Sequence, residues 1–126
     1  MRALLDTDIF IDILRMYKPA MRILREIANG KLTAYFSVVT EVELFSGKEC
    51  KRTDKRRAVE ELLSLCSKLE LTNEIARLAG KLRRNYNSKL GDSMIAATAI
   101  ANKLPIMTRN VKHFKGLPVK LIKPYD

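Results

Sequence analysis

The stretch Ala3-Leu4-Leu5-Asp6-Thr7-Asp8 decides the fold. Its apolar run lacks polar alternation, the pattern of a strand buried on both faces, as a central parallel strand is. It ends abruptly on two acids. In an open α/β sheet, ligands occupy the crevice beyond the carboxyl ends of the strands, so Asp6 falls at that rim and Asp8 one step beyond it. Either acid also suits the cap of a following helix, and for this stretch alone both readings stay open.

Downstream, Ile9, Ile11, Ile13 and Leu14 place a short helix between Thr7 and Met16, interrupted at Tyr17-Lys18-Pro19. Met21, Ile23, Leu24, Ile27 and Ala28 recur at helical spacing from Pro19, and Asn29-Gly30 closes that helix. Residues 33–39 are rich in β-branched and aromatic side chains and read as a second strand, completing a βαβ crossover. Thr40-Glu41-Val42-Glu43 then opens a helix that stops near Gly47. Thr40 and Glu43 have the spacing of a capping box, while their place beyond strand two lets Glu41 and Glu43 face the same rim as Asp6.

Lys48 to Arg57 is strongly basic and reads as a solvated turn and helix start or as a phosphate-contacting patch. An amphipathic helix follows over Ala58–Leu69, with a very short third strand within 68–71. Thr72-Asn73-Glu74 caps a helix whose outer face carries Arg77, Lys81 and Arg84 as surface neighbours. Asn85 to Ser88 reads as a polar connector. Leu90 to Ala101 is a small-residue helix with Asp92 in its first turn, Leu104–Thr108 a buried strand ending at Arg109-Asn110, and Val119–Ile122 the last strand. The alternation implies a three-layer α/β/α sandwich around a mostly parallel sheet of about five strands, with residues 1–126 forming one domain.

Composition narrows the function. The chain has 126 residues, 47% of them hydrophobic, and 24 Lys plus Arg against 14 Asp plus Glu, for a net charge of +10. That excess favours a polyanionic partner such as nucleic acid. The amino terminus lacks the features of a secretory signal and no apolar run approaches the ~18 residues of a membrane span, so a cytoplasmic location is expected. Cys50 and Cys66 lack the paired spacing of a zinc site and read as reduced thiols.

Asp6, Glu43 and Asp92 flank elements that share one sheet edge, with Asn110 at the end of the next strand. Such an oxygen-rich set suits a hard divalent ion, Mg²⁺ or Mn²⁺, whereas His and Cys are too scarce for zinc. Carboxylates gathered at one place repel one another unless a cation neutralises them. Near a phosphodiester, such an ion lowers the pKa of a bound water and stabilises the leaving oxygen, so an acidic centre in a basic protein points to a metal-dependent nuclease.

The blocks Leu-Leu-Asp-Thr-Asp, Thr-Glu-Val-Glu-Leu, Gly-Asp-Ser-Met-Ile-Ala-Ala-Thr-Ala and Leu-Pro-Ile-Met-Thr-Arg-Asn-Val-Lys-His-Phe resemble, in order and spacing, the four signature blocks of PIN domains. More narrowly, the chain resembles the ribonuclease toxins of VapBC toxin-antitoxin pairs. The resemblance implies a PIN-like fold, Mg²⁺- or Mn²⁺-dependent endonucleolytic cleavage of RNA, an antitoxin partner and a homodimer. Asp6, Glu43 and Asp92 match the first three family acids as metal ligands. Asn110 occupies the fourth position, where many members have Asp, and His113 stands where an Asp often precedes the Phe, so the number of ions, one or two, stays open. Thr108 is assigned to orienting a water or ligand and Arg109 to contacting phosphate, while the stripe of Arg77, Lys81 and Arg84 reads either as a solvated face or as a further substrate contact. Three other readings use much the same residues: a PIN nuclease of RNA processing without an antitoxin, a non-catalytic RNA-binding domain, and a Mg²⁺-binding receiver-type signalling domain.

Overall fold

A computed structural model describes residues 1–126. Five strands, β1 (Arg2–Leu5), β2 (Thr33–Ser37), β3 (Ser67–Leu69), β4 (Ile106–Met107) and β5 (Leu121–Ile122), form one sheet in the order β3-β2-β1-β4-β5. Every pairing is parallel. β1 is central because Ala3, Leu4 and Leu5 are wholly buried and tolerate no solvent on either face. Ala3 and Leu5 join a cluster with Ile9, Phe10, Ile23 and Phe36, whereas Leu4 joins Ile75, Ala79, Leu82, Ile95 and Ile106 on the opposite face. Burying each leucine side chain contributes roughly 1.5–3 kcal/mol, so this short strand ties two cores together.

Helices α1 (Thr7–Leu14), α2 (Lys18–Ala28), α3 (Val38–Ser46) and α4 (Thr53–Ser64) contribute to the first cluster, while α5 (Asn73–Tyr86) and α6 (Leu90–Ala101) pack together over the second. Ala96, Ala97 and Ala99 are fully buried, and their small side chains let α6 lie close to the sheet. The expected α/β/α sandwich is the observed architecture.

Several boundaries differ from the sequence reading for identifiable reasons. The second strand ends at Ser37, two residues early, because the Ser37 Oγ accepts the Thr40 N–H at 3.2 Å and caps α3. Thr40 is therefore inside the helix rather than its cap, and the Thr40/Glu43 capping box does not form. Pro19 lies in the first turn of α2, where its missing N–H costs nothing. The basic run folds into a short 3-10 turn (Lys48–Lys51) and the start of α4, which begins at Thr53 and ends at Ser64, earlier than expected at both ends. α5 extends through the supposed connector to Tyr86 and stops at Asn87, whose φ of 54° is left-handed, a conformation Asn tolerates.

Both cysteines are free thiols, Cys50 buried with its Sγ donating to the Leu44 carbonyl oxygen. No helix is long and apolar enough to cross a membrane. Replacing Ser37 by Ala should cost about 1 kcal/mol, read as a lower urea midpoint at unchanged slope, because the buried Thr40 N–H loses its acceptor.

Candidate active site at the sheet switch point

The strand order reverses about β1, with β2 on one side and β4 on the other, so the crevice beyond the carboxyl ends of β1 and β4 is the topological switch point. Two segments meet there. Asp6 follows Leu5, and its backbone N–H donates to the Met107 carbonyl oxygen at 2.9 Å. Thr108 follows Met107 and is fully buried, its hydroxyl 2.9 Å from Asp6 Oδ2.

Asp6 is only 7% exposed and also caps α1, its Oδ1 accepting the Thr7 N–H at 2.8 Å. Capping and a place at the rim, alternatives in the sequence, are thus held by one side chain. Burial, then the Asp8 charge, push the Asp6 carboxyl up to about 6, with Asp92 adding to the rise and the bonds from Thr108 and Thr7 opposing it.

Thr7 links Asp6 to Glu43. Its hydroxyl donates to Glu43 Oε1 at 2.7 Å and lies 2.9 Å from the Thr40 hydroxyl. Since Thr7 has one hydroxyl proton and directs it at Glu43, Thr40 is the donor to Thr7, giving a directed chain from Thr40 through Thr7 to Glu43. Glu41 instead pairs with Lys68 at 3.0 Å, away from this chain. Asp92, in the first turn of α6, is partly buried. Burial raises its carboxyl and the Glu43 charge adds to this, while His113 and Lys89 act in the opposite direction. Asp6, Glu43 and Asp92 therefore share one electrostatic neighbourhood: Asp92 acts on Asp6 and Glu43 acts on Asp92.

No three His, Cys, Asp or Glu side chains converge into a ready-made metal cage. A Mg²⁺ ion commonly keeps several waters and takes only one or two carboxylates directly, which an open acidic rim permits. The donor set is oxygen-only, and one of its atoms is an orphan: Asp8 Oδ1 is buried without a hydrogen-bond partner. These features fit a hard divalent cation and not a soft metal.

The Arg109 guanidinium pairs with a carboxylate of α1. Its Nε and Nη2 donate to Asp12 Oδ2 and Oδ1 at 2.9 and 3.3 Å, and the Tyr125 hydroxyl donates to Asp12 Oδ2 at 2.9 Å. Asp12 is 6% exposed, and a buried carboxylate must be paired to be tolerated. Arg109 therefore has an internal partner for its guanidinium. Burial and the adjacent Asp12 push the Tyr125 phenol well above its ordinary range. Asn110 contributes its backbone N–H, 3.1 Å from Asp8 Oδ2 and 3.0 Å from the Thr108 hydroxyl. The Thr108 hydroxyl is held within the protein by Asp6. Arg77, Lys81 and Arg84 are exposed on α5, outside this hydrogen-bonded centre. Sequence reasoning did not single out Asp12 or Tyr125, because a carboxylate inside an apolar helical stretch and a tyrosine 113 residues away carry no shared local signal.

A doubly wound parallel sheet with carboxylates gathered at its switch point defines the class, an acid-centred α/β/α domain. The chain belongs to the PIN domain family, whose profile matches residues 3–119. It is 35% identical over 127 residues to ribonuclease VapC19 of Mycobacterium tuberculosis, covering 97% of this chain and 98% of that one. It is also 38% identical over 117 residues to ribonuclease VapC10 of the same organism, covering 88% and 84%. Among solved structures, a toxin-antitoxin complex from Klebsiella pneumoniae superposes with a TM-score of 0.82 at 29% identity, covering 98% of each chain. DNA-bound VapBC from Salmonella typhimurium gives 0.85 at 23% identity, covering 99% of each, a likeness of fold.

The Asp6 shift has a stability consequence of defined sign. A carboxyl raised from 3.8 to about 6 favours the fold when protonated, so its contribution is complete below pH 3.8 and is lost as pH rises through about 6. The full effect is about 3 kcal/mol. Asp6→Asn should therefore melt higher than wild type at pH 8 in EDTA, with the difference shrinking toward pH 4. An unchanged or lower midpoint at pH 8 would show that Asp6 is not strained by its burial.

Proposed function

We propose that this PIN domain, residues 1–126, is a metal-dependent endoribonuclease and the toxin half of a toxin-antitoxin pair. The single observation that carries the chemistry is the buried Asp6 carboxyl held at the switch point, acted on by the charges of Asp8 and Asp92, with Glu43 in turn acting on Asp92. The ribonuclease names of the relatives that span most of the chain support RNA as substrate, and the toxin-antitoxin complex from Klebsiella pneumoniae supports the pairing.

Asp6, Asp92 and Glu43 would hold Mg²⁺ or Mn²⁺, and the bound ion supplies an activated water and charge stabilisation at the phosphodiester. The chain's own residues perform the positioning. Thr108 fixes the Asp6 carboxylate, and the Thr40-Thr7 hydroxyl chain fixes Glu43. Asn110 orders the turn after β4 through its N–H. The net charge of +10, including exposed Arg77, Lys81 and Arg84, attracts the RNA backbone over a distance set by salt.

A groove of about 600 Å³ between α1, α3 and α4 runs past Glu43 and is lined by Ile11, Leu14 and Val59 together with Arg15, Lys48 and Lys55. Its apolar floor and a rim in which Arg15, Lys48 and Lys55 outnumber Glu43 and Glu49 suit an antitoxin segment with apolar and acidic side chains. Val42 and Leu90 are each 60% exposed on elements that touch one another, which supports homodimerisation through this helical face. The absence of any membrane-spanning helix is consistent with action in the cytoplasm.

Cleavage of labelled RNA should require Mg²⁺ or Mn²⁺ and vanish in EDTA. Asp92→Asn should reduce it to below about 1% of wild type. Its melting temperature should be unchanged or raised, because a like charge is removed from beside Glu43. Unfolding of Asp92→Asn would make that residue structural, and RNA bound but never cut would favour the silent RNA-binding domain. RNA binding by Asp92→Asn should weaken at least tenfold between about 50 and 200 mM salt. A flat response would remove the role given to the basic surface.

A further inference from the structure

Asp8 is held in a way that capping does not explain. Its Oδ2 accepts the backbone N–H groups of Arg109 and Asn110 at 3.0 and 3.1 Å, so the side chain is pinned across the gap between the β1 and β4 termini and cannot turn out to solvent. Its other oxygen, Oδ1, is buried without any hydrogen-bond partner. A buried carboxylate oxygen left unpaired is costly, and the backbone clamp on Oδ2 maintains that cost.

The surroundings answer the two carboxylates only in part. The Thr108 hydroxyl lies 2.9 Å from Asp6 Oδ2 and 3.3 Å from Asp8 Oδ2, and it also accepts from Asn110 N–H. One hydroxyl proton cannot satisfy two carboxylates at once. The nearby guanidinium of Arg109 is turned to Asp12 and bonds it with two nitrogens. Asp6 and Asp8 thus share a single hydroxyl proton, while the Arg109 guanidinium bonds Asp12 and acts on Asp8 only through space.

We infer that Asp8 is a fourth acid of the active site, its free Oδ1 directed to the same divalent cation, or to that ion's bound water, as Asp6. The inference rests on the metal-dependent reading above and adds to it a residue otherwise read only as an acid in the first turn of α1. The clamp from Arg109 and Asn110 then has a purpose: it presents a preoriented oxygen and leaves it unbonded. Asp12 and Tyr125 act at one remove, holding the Arg109 side chain while its backbone N–H holds Asp8.

The test is Mn²⁺ binding to the intact protein, followed by calorimetry and by the loss of the free-ion paramagnetic resonance signal, without RNA. Asp8→Asn retains an oxygen for the two backbone donors and removes the charge. It should weaken Mn²⁺ binding at least tenfold while keeping the wild-type circular dichroism spectrum. Asp8→Ser, which removes the carboxylate and is smaller, should weaken it likewise. If both variants bind Mn²⁺ within twofold of wild type, Asp8 serves only to fasten the turn after β4 to α1, and the inference is overturned while the nuclease reading stands. If wild type itself takes up no Mn²⁺, the metal-dependent reading fails first and this inference with it.

Discussion

The structure depends on a carboxylate buried at the end of its central strand. Asp6 continues directly from Ala3-Leu4-Leu5, which no solvent touches, and is itself 7% exposed. An isolated charge in that place would be strongly disfavoured, so the surrounding elements are arranged to answer it. The first turn of α1 presents the Thr7 N–H, and β4 delivers the Thr108 hydroxyl. These bonds lower the cost without removing it, and the carboxyl still titrates near 6. A protein selected for stability alone would place an apolar residue here, because the ionised acid stays unfavourable where it is buried.

The same residues show how one polar atom serves both fold and chemistry. Asp6 caps α1 with one oxygen and meets Thr108 with the other. Thr7 begins α1 with its backbone and orients Glu43 with its hydroxyl. Since each element start is also a site position, the site is rigid by construction, and α1, α3 and β4 cannot shift independently without breaking one of these bonds. The fully buried Thr40 hydroxyl extends this coupling into the core.

A second polar unit lies behind the first. Asp12, Arg109 and Tyr125 join α1, the turn after β4 and the residues following β5 through a buried carboxylate with three donors. Tyr17 stacks at a tilt against Tyr125, and Arg22 reaches the Pro124 carbonyl oxygen, so the end of the chain is fastened over the α1–α2 layer. This accounts for why the Arg109 guanidinium, next to the site in sequence, is bonded to Asp12 while its backbone N–H bonds Asp8. The buried Asp12 needs a bidentate partner more than the solvent-facing rim needs another cation.

How much of this was legible in the sequence follows from what is local. The unbroken apolar character of residues 3–5, the helical periodicities of α2 and α5 and the alternation of element types require no long-range information, and they specify a parallel sheet with helices on both faces. The identity of Asp6 as a rim residue follows from the same short run. Other features rest on pairings between distant residues. Ser37 captures the cap of α3 by bonding Thr40, ending β2 before its β-branched Val38 and Val39, whose local preference is for strand. The choice between Glu41 and Glu43 is made by Lys68 pairing with one and Thr7 with the other. The partner of Arg109 and the orphaned oxygen of Asp8 emerge only when segments about 100 residues apart are brought together. The sequence by itself determined which side chains can bear charge and which strands must be buried. Only the tertiary structure decided which charges are answered from within, because that depends on distances no local pattern encodes.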